Sequence, residues 1–239
     1  MRSARLAVLL LAFLAVPALA MAQAERVDLA LVLAVDVSDS VDEERYTLQM
    51  GGIARAFEDP AVQAAMLSGP HRAMLVALVT WSTRAVIAVP WTLVTNADDI
   101  RRLASEVRRA PRADKRFTCM SAALRSIADR LLPAMPMPAE RVVIDVSGDG
   151  RDNCNPRAPV DLLRDELAAA DVTVNGLPIL EGEEASSLEG WYRDHVIGGP
   201  GGFLLPARGF ADFERAIRRK FLTEISGAPP GDVRWAEAH

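Results

Sequence analysis

The chain predicts a three-layer, doubly wound α/β fold: a mostly parallel sheet with one antiparallel edge strand and helices on both faces. Three observations carry this. Short continuous apolar runs alternate with longer stretches whose apolar residues recur at helical spacing, the rhythm of strand and crossover helix. The earliest run, Leu29 to Val35, has no polar residue, which suits a strand covered on both faces. One connection, Trp81-Ser82-Thr83-Arg84, is too short for a crossover helix and reads as a hairpin turn, so one strand runs antiparallel.

Taken in order, residues 1–24 read as a secretory signal peptide. Arg2 and Arg5 precede the apolar stretch Leu6 to Ala20, and Ala22-Gln23-Ala24 offers small residues for cleavage before Glu25. The stretch is short of the roughly 20 apolar residues that span a bilayer, and Glu25 and Arg26 follow at once, so no stable membrane insertion is expected after cleavage. The 215 residues that remain suit one domain, residues 25–226. Its net charge moves from −5 to −7, because two arginines and no acid leave with the leader. No basic face is on offer to nucleic acid or anionic lipid.

After Leu29 to Val35, the further strand candidates are Ala73 to Thr80, Val86 to Val89, Val142 to Val146, Val172 to Val174 with Leu177, and Phe203 to Leu205. Between them lie five core-facing helical stripes: Tyr46, Met50, Ile53, Phe57; Ile100, Leu103, Val107; Met120, Leu124, Ile127, Leu131; Val160, Leu163, Leu167; and Phe210, Phe213, Ile217, Phe221. Gly198 to Gly202 precedes a strand rather than a helix and is therefore read as a turn, not a phosphate cradle. Residues 227–239 have no periodicity and read as a frayed tail. The two cysteines, Cys119 and Cys154, allow a disulfide in an exported chain, or are two unrelated buried thiols.

In an open parallel sheet, ligands collect beyond the carboxyl ends of the strands. The loop after the first strand reads Asp36-Val37-Ser38-Asp39-Ser40, and alternation points Asp36, Ser38 and Ser40 the same way. One carboxylate and two hydroxyls make a hard-oxygen set suited to Mg²⁺ or Mn²⁺. Ser40 also opens Ser40-Val41-Asp42-Glu43, which reads as a helix capping box, and a hydroxyl can serve both roles. A later loop, Ser147-Gly148-Asp149-Gly150, places an acid between glycines directly after a buried strand. Asp145, inside that strand, reads as a hydrogen-bonded structural acid. Asp152 and Asn153 do not match an EF-hand spacing and read as a solvated turn, which makes Ca²⁺ the lesser choice.

Asp-x-Ser-x-Ser after a first apolar strand, a threonine opening a middle helix and an Asp-Gly after a later strand resemble the metal-ion-dependent adhesion site of von Willebrand factor A domains, the integrin I-type fold. The runs Val142 to Asn153 and Val196 to Gly201 are similar to those of a group of exported bacterial proteins that carry a domain of unknown function. The resemblance covers about Val27 to Ser226 and implies a Rossmann-like sheet with one divalent-metal site formed by Asp36, Ser38, Ser40, Thr118 and Asp149. Two departures stand out: Arg116 and Phe117 replace the glycine that often precedes the threonine, and Gly148 precedes Asp149 where the pattern has threonine. A shared site also implies a Cys119 to Cys154 disulfide, since Cys119 follows Thr118 and Cys154 lies five residues beyond Asp149.

The function this implies is a periplasmic or secreted protein-binding module. With only two protein carboxylates, the ion stays electrophilic toward a carboxylate offered by a protein partner. A structural subunit of an envelope assembly, with the metal as a staple, is the alternative. A phosphotransferase built on Asp36 would want a second acid at Ser38, and a serine hydrolase would want a Gly-x-Ser-x-Gly elbow, which is missing. His195, beside Trp191 and Tyr192, reads as structural, and no catalytic residue is assigned.

Overall fold

Strands β1 (Leu29–Asp36), β2 (Met74–Trp81), β3 (Ala85–Val94), β4 (Val142–Gly148) and β5 (Val172–Pro178) form one sheet, ordered β3-β2-β1-β4-β5. It belongs to a computed structural model that describes residues 26–112, 116–154 and 159–227. Only the β2–β3 pair is antiparallel; β1, β2, β4 and β5 run parallel, as the short Trp81–Arg84 turn requires. The apolar β1 is the central strand, and all of its residues are buried. Residues 1–25, which hold the expected signal peptide, and residues 228–239, which hold the expected tail, lie outside the described residues. Among the described residues no helix is long and apolar enough to cross a membrane.

Helices α1 (Glu43–Glu58), α2 (Pro60–Met66), α3 (Ala97–Arg108), α4 (Met120–Ser126), α5 (Val160–Ala169), α6 (Ala185–His195) and α7 (Phe213–Ser226) cover the sheet. Leu31, Leu33 and Val35 pack with residues of α1, α3 and α7, where Phe57 and Phe221 stack at 4.8 Å. Val32 and Ala34 face the other way, toward α4, α5 and α6. Every residue of the five helical stripes is buried, because a 3.6-residue period keeps one face of each helix on the sheet.

Among the elements, the expectations differ from the structure as follows, besides helix α6, for which no stripe was read. β3 extends to Val94, past Pro90, because register shifts opposite Val76 and Leu78 let an edge strand carry a residue with no N–H. Phe203 to Leu205 is not a strand but touches β5 through the single bridge Gly176↔Leu204. The Gly198–Gly202 turn before it and Pro206 after it leave no room for a continuous ladder. α2 had no periodic signal at seven residues; Asp59, which accepts from Ala61 N and Val62 N, and Pro60 at the first turn start it.

A buried ion cluster ties α7 to the sheet. Lys220 Nζ lies 2.8 Å from Asp145 Oδ1 and also pairs with Glu224, whose Oε1 accepts from Asn175 Nδ2 at 2.8 Å. Asp145 is thus the structural acid expected. Burial pushes its carboxyl up to about 7, with Glu224 adding to the rise and Lys220 opposing it. A carboxyl raised in this way holds its proton more tightly folded than unfolded, so its contribution to stability falls as pH climbs from about 4 towards 7. Lys220→Met removes the only cation of the cluster and is expected to cost about 3–5 kcal/mol at pH 8. The loss should be clearly smaller at pH 5, where Asp145 is protonated. Urea melts at both pH values check this; equal losses would mean that Lys220 matters through packing and not through charge.

Candidate metal site at the carboxyl edge of the sheet

β1 ends in Asp36, which is wholly buried, and its Oδ1 accepts the Ser38 amide at 2.8 Å, turning the chain at once. The Asp36 carbonyl accepts from Gln49 Nε2 of α1 at 3.3 Å. From there the other four expected site residues form a chain of oxygens, which Asp36 joins through the Ser38 amide. Ser38 Oγ lies 3.4 Å from Thr118 Oγ1 and 3.3 Å from Ser40 Oγ, and Ser40 Oγ donates to Asp149 Oδ1 at 2.7 Å. Three loops far apart in sequence therefore meet, as the strand order dictates: β1 and β4 are neighbours, and α4 begins beside the β2–β3 turn, where Cys119 N donates to Ser82 O. Asp36, Ser38, Thr118 and Asp149 are buried while Ser40 is exposed, so the group opens to solvent past Ser40. A cleft of about 300 Å³ lies over it, bordered by Arg45, Gly150, Arg151 and Glu184.

Ser40 is not the helix cap that Ser40-Val41-Asp42-Glu43 suggested. α1 starts at Glu43, and Asp42 caps it by accepting from Arg45 N, which leaves the Ser40 hydroxyl for Asp149. Asp152, half-buried, and Asn153, exposed, lie in a solvent-facing segment as expected, but they also hold the Thr118 segment. Asn153 Oδ1 accepts from Thr118 N at 3.0 Å and Asn153 N donates back to Thr118 O at 3.0 Å. Asp152 accepts from Ser121 N at 2.9 Å, capping α4, whose own first residue offers no side-chain cap. Beside them the Cys119–Cys154 disulfide joins the two loops, with Cα atoms 5.0 Å apart, inside the ordinary range for such bonds.

The electrostatics follow from the burial. Asp36 is pushed up to about 7, first by burial and then by the charge of Asp149, against its Ser38 hydrogen bonds. Burial also raises Asp149, against Ser40 and Arg45. Asp36 Oδ2 is buried with no hydrogen-bond partner among the described residues. A carboxylate oxygen in that state is costly unless a cation meets it, and that is the observation that fits a metal here. Three of the five groups are hydroxyls and two are carboxylates, so the donor set is one of hard oxygens; among the described residues no group of three or more His, Cys, Asp or Glu that could hold a metal ion occurs.

Several residues around the site carried no sequence signal of their own. Arg45 donates to Ser40 O and pairs with Glu181 at 2.7 Å, while Glu181 Oε2 accepts from Phe210 N. Glu184 Oε2 accepts from Arg151 N. Gln49 was legible only as a polar residue between the core positions Tyr46 and Met50. Tyr192 is wholly buried, and burial, then the charges of Asp36, Asp149 and Asp145, hold its phenol well above its ordinary range. His195 stacks by Trp191 at 5.3 Å, His71 lies near Glu140, and His239 is outside the described residues.

Comparison with known proteins bears on the family and the fold. A family model described as "Protein of unknown function (DUF1194)" matches residues 26–229. No curated protein matches the sequence significantly. Among solved structures, proximal thread matrix protein 1 from the mussel byssus, with a zinc-occupied MIDAS motif, is 13% identical, with a TM-score of 0.61 over 83% of this chain and 46% of its own. A von Willebrand factor type A protein from Catenulispora acidiphila is 17% identical, with a TM-score of 0.60 over 83% and 43%. The pilus adhesin SpaC from Lactobacillus rhamnosus GG is 14% identical, with a TM-score of 0.60 over 83% and 30%. The chain spans less than half the length of each, and at these identities the likeness concerns the fold, which is that of a von Willebrand factor A domain.

The disulfide closes a loop with a sequence separation of 35, which on the loop-entropy account stabilises the fold by about 3–4 kcal/mol. Cys119→Ser with Cys154→Ser should lower the denaturation free energy by that amount, read from urea melts. In the wild type, both sulfurs should resist alkylation under denaturing conditions until reductant is added; labelling without reductant would contradict the bond.

Proposed function

The chain belongs to the DUF1194 family, and from that premise and the loop geometry we propose that it is an exported binding module that captures a carboxylate of a protein partner through one divalent cation. Asp36, Ser38, Ser40, Thr118 and Asp149 would hold the ion. The observation that carries the reading is the buried, unpartnered Oδ2 of Asp36 where three loops bring together the hydroxyls of Ser38, Ser40 and Thr118 and the carboxylate of Asp149. When bound, a divalent ion supplies Lewis acidity at the mouth of the cleft, with only two protein carboxylates to satisfy it. The rest is the work of the chain. Ser38 N orients Asp36, Ser40 aligns Asp149, and Asn153 and the disulfide hold Thr118 in reach. Exposed Ser40 marks the side from which a partner enters.

The hydroxyl-rich set favours Mg²⁺ or Mn²⁺ over Ca²⁺, which takes more oxygens. The zinc reported in the mussel protein supports a divalent ion in this kind of site. Export to the periplasm or beyond is supported by the apolar leader and by the paired cysteines. A module that binds rather than catalyses is supported by the adhesin and thread-matrix proteins that share the fold.

Titration calorimetry and melting curves test the metal. Mg²⁺ or Mn²⁺ at a hundred times its dissociation constant should stabilise the wild type by about 2.7 kcal/mol. Asp36→Ala should abolish the shift, and Ser38→Ala should weaken it less, since water can replace a hydroxyl. Equal shifts in wild type and Asp36→Ala would remove Asp36 from the site. Pull-down in Mg²⁺ and in chelator separates the roles: a partner held equally well in chelator would make the ion a structural staple.

A further inference from the structure

Asp36, Gly148, Gly176 and Tyr192 share one face of the molecule. Alternation along the strands puts Asp36 with Val32 and Ala34, Gly148 with Ile144 and Val146, and Gly176 with Val172 and Val174, all on the side covered by α4, α5 and α6. Tyr192 comes down onto that face from α6 and fills the space the two glycines leave. A Cβ at Gly176 would lie 2.8 Å from Tyr192 Cδ1, and a Cβ at Gly148 would lie 3.0 Å from the Tyr192 hydroxyl and 2.9 Å from Asp36 Oδ2. No side chain fits at 148 without moving both, which gives the glycine before Asp149 a steric reason.

The phenol and the carboxylate oxygen therefore border the same small space, where the phenol has one long hydrogen bond and the carboxylate oxygen none. The Tyr192 hydroxyl donates to Gly148 O at 3.4 Å, the long limit for such a bond, and Asp36 Oδ2 accepts nothing among the described residues. A phenylalanine would fill the slot with no polar group to bury, so packing alone does not call for the hydroxyl. Resting on the reading of Asp36 as a metal ligand, we propose that Tyr192 is a positioning residue of the metal site, its hydroxyl backing the Asp36 carboxylate from the core side and holding it toward the loops. Residues that orient a ligand from behind typically change metal affinity by 10–100-fold.

The probe is Mn²⁺ alone, titrated by calorimetry into wild type, Tyr192→Phe, Gly148→Ala and Asp36→Ala, with the paramagnetic resonance spectrum of bound Mn²⁺ and a melt in chelator for each. Tyr192→Phe is expected to bind about tenfold more weakly with an altered spectrum, while melting in chelator at or above the wild-type temperature. Gly148→Ala, which displaces both groups, should bind more weakly still. Wild-type affinity and spectrum in Tyr192→Phe, with or without a lower melting temperature, would overturn the proposal and leave the metal reading standing. Absence of Mn²⁺ binding to the wild type would overturn both.

Discussion

Two buried carboxylates at the end of parallel strands set the terms for this end of the molecule. Asp36 and Asp149 sit in low-dielectric surroundings without an ion pair among the described residues; burial raises both, the charge of Asp149 adds to the cost at Asp36, and that of Glu181 adds to the cost at Asp149. Everything around them limits that cost. The Ser38 amide and the Ser40 hydroxyl donate to one carboxylate oxygen each, and the remaining oxygen of Asp36 is buried with no hydrogen-bond partner among the described residues. An arrangement of this kind is expensive as a purely structural device and inexpensive around a cation.

The loops are held in place by means that differ in kind. The Asp36 loop is fixed by its own turn and by Gln49 and Arg45 of the helix that follows. The Thr118 loop has little local support, and its anchors come from the loop after β4: Asn153, Asp152 and the disulfide. The opposite side of the molecule has its own charged anchor, the Lys220 cluster, which fixes α7 over Asp145.

Much of this was present in the chain as written. The apolar runs specified a sheet, because strands covered on both faces are built mainly of apolar residues, and the short Trp81–Arg84 connection specified its one antiparallel pair. The helical stripes named the core residues, since periodicity alone decides which side of a helix faces the sheet. Alternation in Asp36-Val37-Ser38-Asp39-Ser40 put three oxygens on one side before any tertiary contact was known.

Tertiary structure decided the rest, because the physics there is not local. Which of Ser40 and Asp42 caps α1 turns on whether a more distant acceptor, Asp149, claims the serine. Asp152 and Asn153 look like ordinary turn residues until another loop brings them unpaired backbone amides. Phe203 to Leu205 has a strand's composition, but the glycine turn and the proline beside it allow one bridge to β5 and no ladder. Gly148 and Gly176 lie in different strands, and only when those strands pair does the absence of two side chains become a slot for Tyr192. Periodicity and spacing act between residues a few positions apart, whereas burial, desolvation and steric exclusion act between whatever the folded chain makes neighbours.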